Sequence, residues 1–138
     1  MQRTAVEIPV APVPKPRMTQ SDRWKKRPAV VRYHQFKDDL RSLVRGELDP
    51  RFDIIFLVPM PKSWSKKEKA KMKGRPHQQK PDIDNYLKAF MDAMLIEDSH
   101  VFDAHPRKYW WDEGKIILME RGFDPDERYT ETAHEARG

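Results

Sequence analysis

The sequence predicts a mixed α/β (α+β) domain built on a sheet of about four strands with two or three helices. Three observations carry that expectation. Phe52 to Val58 is almost continuously apolar, as in a central strand covered on both faces. Two longer stretches, one before it and one after, repeat apolar residues at helical spacing. The 138 residues hold material for one modest core, which a mean hydropathy of −0.91 and 36% charged residues keep thin. An oligomer interface is the expected supplement.

Val6 to Val10 reads as a short strand, ended by Pro12, Pro14 and Pro16. The segment from Pro14 to Pro28 has six Lys or Arg among fifteen residues and a single acid, and reads as an exposed loop. Its Arg17, Arg23, Lys25, Lys26 and Arg27 suit phosphate contacts, while Trp24 either stacks on bases or tucks back against the sheet. Pro28 opens a helix to about Arg45, closed by Gly46, with Tyr33, Phe36, Leu40, Leu43 and Val44 as its apolar face. The central strand follows. From Pro61 to Lys80, eight Lys or Arg face one acid, Glu68. There Ser63 or Ser65 can cap a short helix ended by Gly74, and Trp64 anchors a lysine-rich arm. Lys66, Lys67 and Lys80 are its DNA-binding candidates; a solubilising loop is the alternative. His77 is too isolated to read as a ligand.

The stretch KPDIDNYLKAFMDAM, Lys80 to Met94, organises the rest. Pro81 keeps Lys80 out of helical geometry, Asp82 can cap, and Asp84 and Asn85 fall in a first turn that favours acids. Ile83, Leu87, Phe90 and Met94, flanked by Tyr86, Met91 and Ala93, fill one face. Asp84, Lys88 and Asp92 stack on the opposite one. A solvated charge stripe reads the same way. His100 to Trp111 and Lys115 to Glu120 then form a hairpin through Asp112, Glu113 and Gly114, with Pro106 marking an edge or bulge. The expected organisation is one domain over 1–120 and a polar, flexible tail over 121–138.

Charge divides the chain sharply. Met1 to Lys80 carries 20 basic and 8 acidic residues, a net of +12, whereas Pro81 to Gly138 carries 7 and 14, a net of −7. The sign changes where the central stretch begins, which suits a basic surface for a polyanion with an acidic pocket set into it. The absence of cysteine excludes disulfides and thiolate metal sites. No apolar run approaches the roughly eighteen residues of a membrane span, and no leader opens the chain, so a cytoplasmic protein with no membrane partner is expected.

The pattern D-x-D-N-x-x-K-x-x-x-D over Asp82, Asp84, Asn85, Lys88 and Asp92, followed by Glu97, Asp98, Ser99 and Val101, resembles the signature of the RusA family of Holliday-junction resolvases of bacteria and their prophages. The resemblance covers roughly Val6 to Glu120. His100 stands where glutamine is usual, and the Ala93–Asp98 connection is several residues short of the family spacing. The resemblance implies a RusA-like fold with Asp82, Asp84 and Asp98 holding magnesium (manganese as a substitute) and Lys88 serving cleavage. It also implies a homodimer acting on branched, four-way DNA, with no organic cofactor.

The residues suit that chemistry independently. Two carboxylates one residue apart can share a hard cation, and Lys88 lies one turn from Asp84. An intrahelical Asp84–Lys88 ion pair is the bland alternative. The expected activity is therefore magnesium-dependent, paired symmetric nicking of four-way junctions in recombination and repair. A basic module that binds junctions without cutting is the alternative; an RNA-binding protein lacks support from any aromatic RNP-like motif. Asp98 poses a problem of reach. A helix unbroken to Met94 rises about 16 Å, and the four steps on to Asp98 span at most about 14 Å. The helix is therefore expected to stop early, near Met91 or Asp92. Otherwise Asp98 serves a partner's pocket, or Glu97 or Asp103 supplies the third carboxylate.

Overall fold

The computed structural model describes residues 5–17, 27–44, 46–94 and 97–131, and of Asp98 only the backbone. Four strands and three helices follow in the order β1 (Val6–Ile8), α1 (Pro28–Leu43), β2 (Arg51–Pro59), α2 (Lys66–Met72), α3 (Ile83–Ala93), β3 (Asp103–Trp111) and β4 (Lys115–Glu120), with a short 3-10 turn at Asp98–His100 before β3. The order read from the sequence holds, and so does the α+β class.

The sheet runs β1-β4-β2-β3. Strand β2 is central, antiparallel to β4 and parallel to β3, with Arg51 opposite Asp103 and Pro59 opposite Trp111. The expected β3–β4 hairpin is therefore wrong, because β2 lies between those two strands. Residues 112–114 step across the end of β2 instead of folding β4 back on β3. The crossing is tight. The Met60 amide donates to the Trp111 carbonyl at 3.0 Å, and a Cβ on Gly114 would lie 2.4 Å from that of Ala11. Pro106 sits on β3, an edge strand, where a missing N–H is tolerated.

Helices α1 and α3 pack on one face of the sheet. Phe52, Ile54 and Phe56 of β2 meet Tyr33, Phe36 and Leu40 of α1 and Tyr86, Ala89 and Phe90 of α3, with Ile8, Ile116 and Leu118 completing the core. Full burial of Phe52, Phe56 and Phe90 contributes about 1.5–3 kcal/mol each. The expectation that β2 is covered on both faces is not met. Its other face opens onto an apolar groove of about 330 Å³ lined by Ile55, Leu57, Tyr109, Trp111 and Ile117. Helix α1 ends at Leu43, which is exposed rather than part of the apolar face. Beyond β4, Arg121 pairs with Asp53, and Glu127 pairs with Arg51, so this polar stretch packs back on the sheet.

Candidate active site

The site is built where the chain leaves α2 and enters α3. Ser65 caps α2 through the Glu68 amide at 3.1 Å, and Gly74 takes a positive φ of 82° just after the helix. Residues 74–77 then run antiparallel along the outer side of β3. Gly74 donates to the Trp110 carbonyl at 2.8 Å, Trp110 to that of Arg75 at 3.0 Å, and His77 to that of Lys108 at 3.1 Å. This pairing covers the open edge of the sheet. It also delivers residues 78–82 to the middle of β3, where the Lys108 ammonium donates to the carbonyls of Gln79 and Pro81, at 2.7 Å each.

Asp82 occupies the N-cap of α3 with extended backbone, φ −66° and ψ 152°, yet its side chain makes no capping hydrogen bond. The Asn85 and Tyr86 amides turn to its backbone carbonyl instead, at 3.1 and 3.4 Å. An N-cap aspartate usually spends its carboxylate on those amides; here it is left for something else. Asp84, one residue into the helix, is exposed as well. Lys88 comes only to 3.9 Å of Asp84, with the two side chains 59% and 63% exposed. A pair so loose and so wet contributes little to stability, which leaves the ammonium available to a phosphate.

The third residue of the expected polar stripe behaves differently. Asp92 is half-buried, accepting from the Tyr33 hydroxyl at 2.5 Å and pairing with Lys15 at 2.9 Å. Arg41 donates to the Ala93 carbonyl at 2.9 Å beside it. The apolar face of α3 is accordingly turned toward Tyr86, Ala89, Phe90 and Ala93, while Ile83, Leu87 and Met94 are only half-buried. Burial pushes the Tyr86 hydroxyl up to about 12, so it is a core phenol stacked on Phe56 and holds its proton near neutral pH.

Helix α3 does not stop early; it continues to Ala93. Glu97 and the Asp98–His100 turn lie at its far end, where Met94, Glu97 and His100 share a cleft with Glu47, Leu48 and Pro50. The Asp98 backbone thus follows the end of α3 opposite to the one that carries the acid pair. Asp103 is committed elsewhere, to Arg51 at 2.9 Å and His105 at 2.7 Å. Among the described residues no group of three or more acidic or histidine side chains lies ready for an ion. Two exposed carboxylates do suit magnesium, which commonly takes one or two of them and completes its shell with water and substrate phosphate.

The basic candidates divide by position. Arg27 donates to the Arg17 carbonyl at 2.9 Å, bringing together the described residues on either side of 18–26. Arg23, Trp24, Lys25 and Lys26 lie outside the described residues. The Lys15 amide donates to the Asn85 carbonyl at 3.2 Å, which brings the segment after β1 against the first turn of α3. Lys66, Lys67 and Lys80 are exposed. Trp64 packs on Trp110 at 5.0 Å between ring centroids and fastens α2 to the sheet, as its place in the lysine-rich arm suggested. His77 is buried against Trp110; burial and the nearby Lys108 charge lower its pKa and keep it neutral. Sequence reasoning passed over Lys15 and Lys108. Neither carries a local signal, because both reach the site through tertiary contacts.

Two exposed carboxylates one residue apart and a loosely paired lysine at the start of α3, framed by basic segments on an α+β sheet, suit a protein that acts on phosphodiesters. The chain belongs to the RusA endodeoxyribonuclease family, whose model matches residues 9–119, most of its length. The curated relative YqaN of Bacillus subtilis (strain 168), described as an uncharacterized protein, is 40% identical over 78 residues. That match covers 50% of this chain and 54% of YqaN, so the chain spans about half the length of that relative. No solved structure matches the chain. No described helix is long and apolar enough to cross a membrane.

Proposed function

We propose that the chain is a magnesium-dependent endonuclease that resolves four-way DNA junctions in the cytoplasm by paired nicks, acting as a homodimer in recombination and repair. The observation that carries this reading is the Asp82 carboxylate, unspent at a helix N-cap and one residue from exposed Asp84, in a chain of an endodeoxyribonuclease family. Asp82 and Asp84 would hold the ion, which when bound neutralises phosphoryl oxygens and makes its water a better nucleophile. Lys88, unclaimed by a tight ion pair, meets the charge that grows on the phosphate or on the leaving oxygen. Arg17, Arg27, Lys66, Lys67 and Lys80 hold the flanking backbone, together with Arg23, Trp24, Lys25 and Lys26. Manganese, equally at home among oxygen ligands, substitutes.

A junction is cut on two opposed strands and each chain offers one acid pair, so symmetric cutting calls for two copies. The sheet face left uncovered by α1 and α3 supports that pairing, since its apolar groove is what a second copy would cover. Asp98, standing at the far end of α3, then reaches a metal pocket by serving the partner's.

Asp82→Asn and Asp84→Asn should each abolish nicking of a synthetic four-way junction in magnesium. Junction affinity in a gel shift should stay intact or tighten, because removing an acid weakens repulsion of phosphate. Wild-type cutting rates in both variants would refute the assignment. Junction binding by the wild-type chain with no cutting in either metal would favour the non-cleaving alternative.

A further inference from the structure

Among the described residues, Lys108 is the charged side chain that grips the turn carrying Asp82. Its ammonium spends two hydrogens on the Gln79 and Pro81 carbonyls, the second belonging to the residue directly before Asp82. Strand pairing at that edge does not need it, because the backbone bonds of Gly74, Arg75 and His77 already hold residues 74–77 to β3. Those bonds stop at His77. From residue 78 to the first turn of α3, Lys108 ties the described chain to the sheet.

We propose that Lys108 is a positioning residue for the metal-binding acids: it fixes the backbone on either side of Lys80 and so sets where the Asp82 carboxylate stands. An ammonium is a costly way to fasten two carbonyls. Burial lowers the Lys108 pKa, and the nearby Asp82 charge acts in the opposite direction. The inference rests on the reading of Asp82 and Asp84 as metal ligands and adds the residue that holds them in register. Groups that orient a ligand in this way usually matter about 10- to 100-fold in metal affinity.

The sign of the effect separates positioning from simple electrostatics. Removing a positive charge near a cation site should by itself tighten metal binding; removing a positioning contact should weaken it. Manganese binding to the DNA-free protein, read from the free-ion electron paramagnetic resonance signal, measures the difference. Lys108→Met should bind manganese about tenfold more weakly or worse, while Lys108→Arg, which can again donate to both carbonyls, recovers most of the affinity. Thermal melts of the same samples report folding. Lys108→Gln, which keeps one donor at shorter reach, replaces the methionine variant if that chain does not fold, and should weaken binding in the same direction. Unchanged or tighter manganese binding in a folded Met or Gln variant overturns the inference and leaves the acid pair standing. A wild-type protein that binds no manganese overturns the acid pair and this inference with it.

Discussion

Asp84 and Asp92 lie two helical turns apart on α3 and have opposite fates. Asp84 is exposed beside a loosely held Lys88, whereas Asp92 is enclosed by Tyr33 and Lys15. Burial alone would raise the Asp92 pKa, but hydrogen bonds from Lys15 and Tyr33, with the charges of Lys15 and Lys37, outweigh it and hold the carboxyl below its usual range. A depressed folded pKa contributes stability above the unfolded value, about 3.9, and that contribution is lost as pH falls through the lower folded value. Asp92→Ala should therefore cost about 1–3 kcal/mol at neutral pH, measured by urea unfolding. The gap to wild type should narrow below about pH 4; a gap that stays constant down to about pH 2 would refute the charge-based account. Helical spacing correctly aligned Asp84, Lys88 and Asp92. It carried no information that α1 brings Tyr33 alongside, so a stabilising residue read as part of a solvated stripe. Asp82 and Asp84 were legible because their spacing and the helix start are local features.

At the scale of elements, local periodicity and long-range pairing part company. The order of strands and helices was legible, since each element declares itself within about ten residues. The partner of β4 was not. Asp112, Glu113 and Gly114 suit a hairpin turn and equally suit a step across β2, and only the register of three strands decides between them. The crossing leaves its mark on Gly114, whose absent Cβ gives Ala11 and Pro59 room to close over the end of β2. Gly114→Ala should cost about 1–3 kcal/mol through overpacking, seen as a lower midpoint in thermal or urea unfolding. A two-strand hairpin free of Ala11 would show almost no change. The expected cover on both faces of β2 failed for a related reason. A continuous apolar run shows that both faces avoid water, but it does not say whether a helix of the same chain or another molecule covers the second one.

For the whole molecule, the charge division between the halves becomes an acid pair among basic segments, and the proposed second copy would cover the groove on the sheet face away from α1 and α3. Sedimentation with and without junction DNA should show a dimer; monomer alone under both conditions counts against paired cutting. Mixed dimers then locate Asp98. With α3 intact to Ala93, Asp82→Asn chains mixed with Asp98→Asn chains should regain nicking at one strand, because one pocket of the pair keeps both its own acids and the partner's Asp98. No recovery would return Asp98 to its own subunit, and nicking by Asp98→Asn chains alone would remove it from the site.

The most direct test of the central claim is a strand-by-strand incision map. Each of the four strands of a synthetic junction is end-labelled in turn and incubated with wild-type protein in magnesium or in chelator, beside a linear duplex of the same sequence. The account predicts nicks at matched positions in two opposed strands of the junction, in magnesium only, with the duplex left whole. Incision that persists in chelator, or that falls equally on junction and duplex, would contradict it.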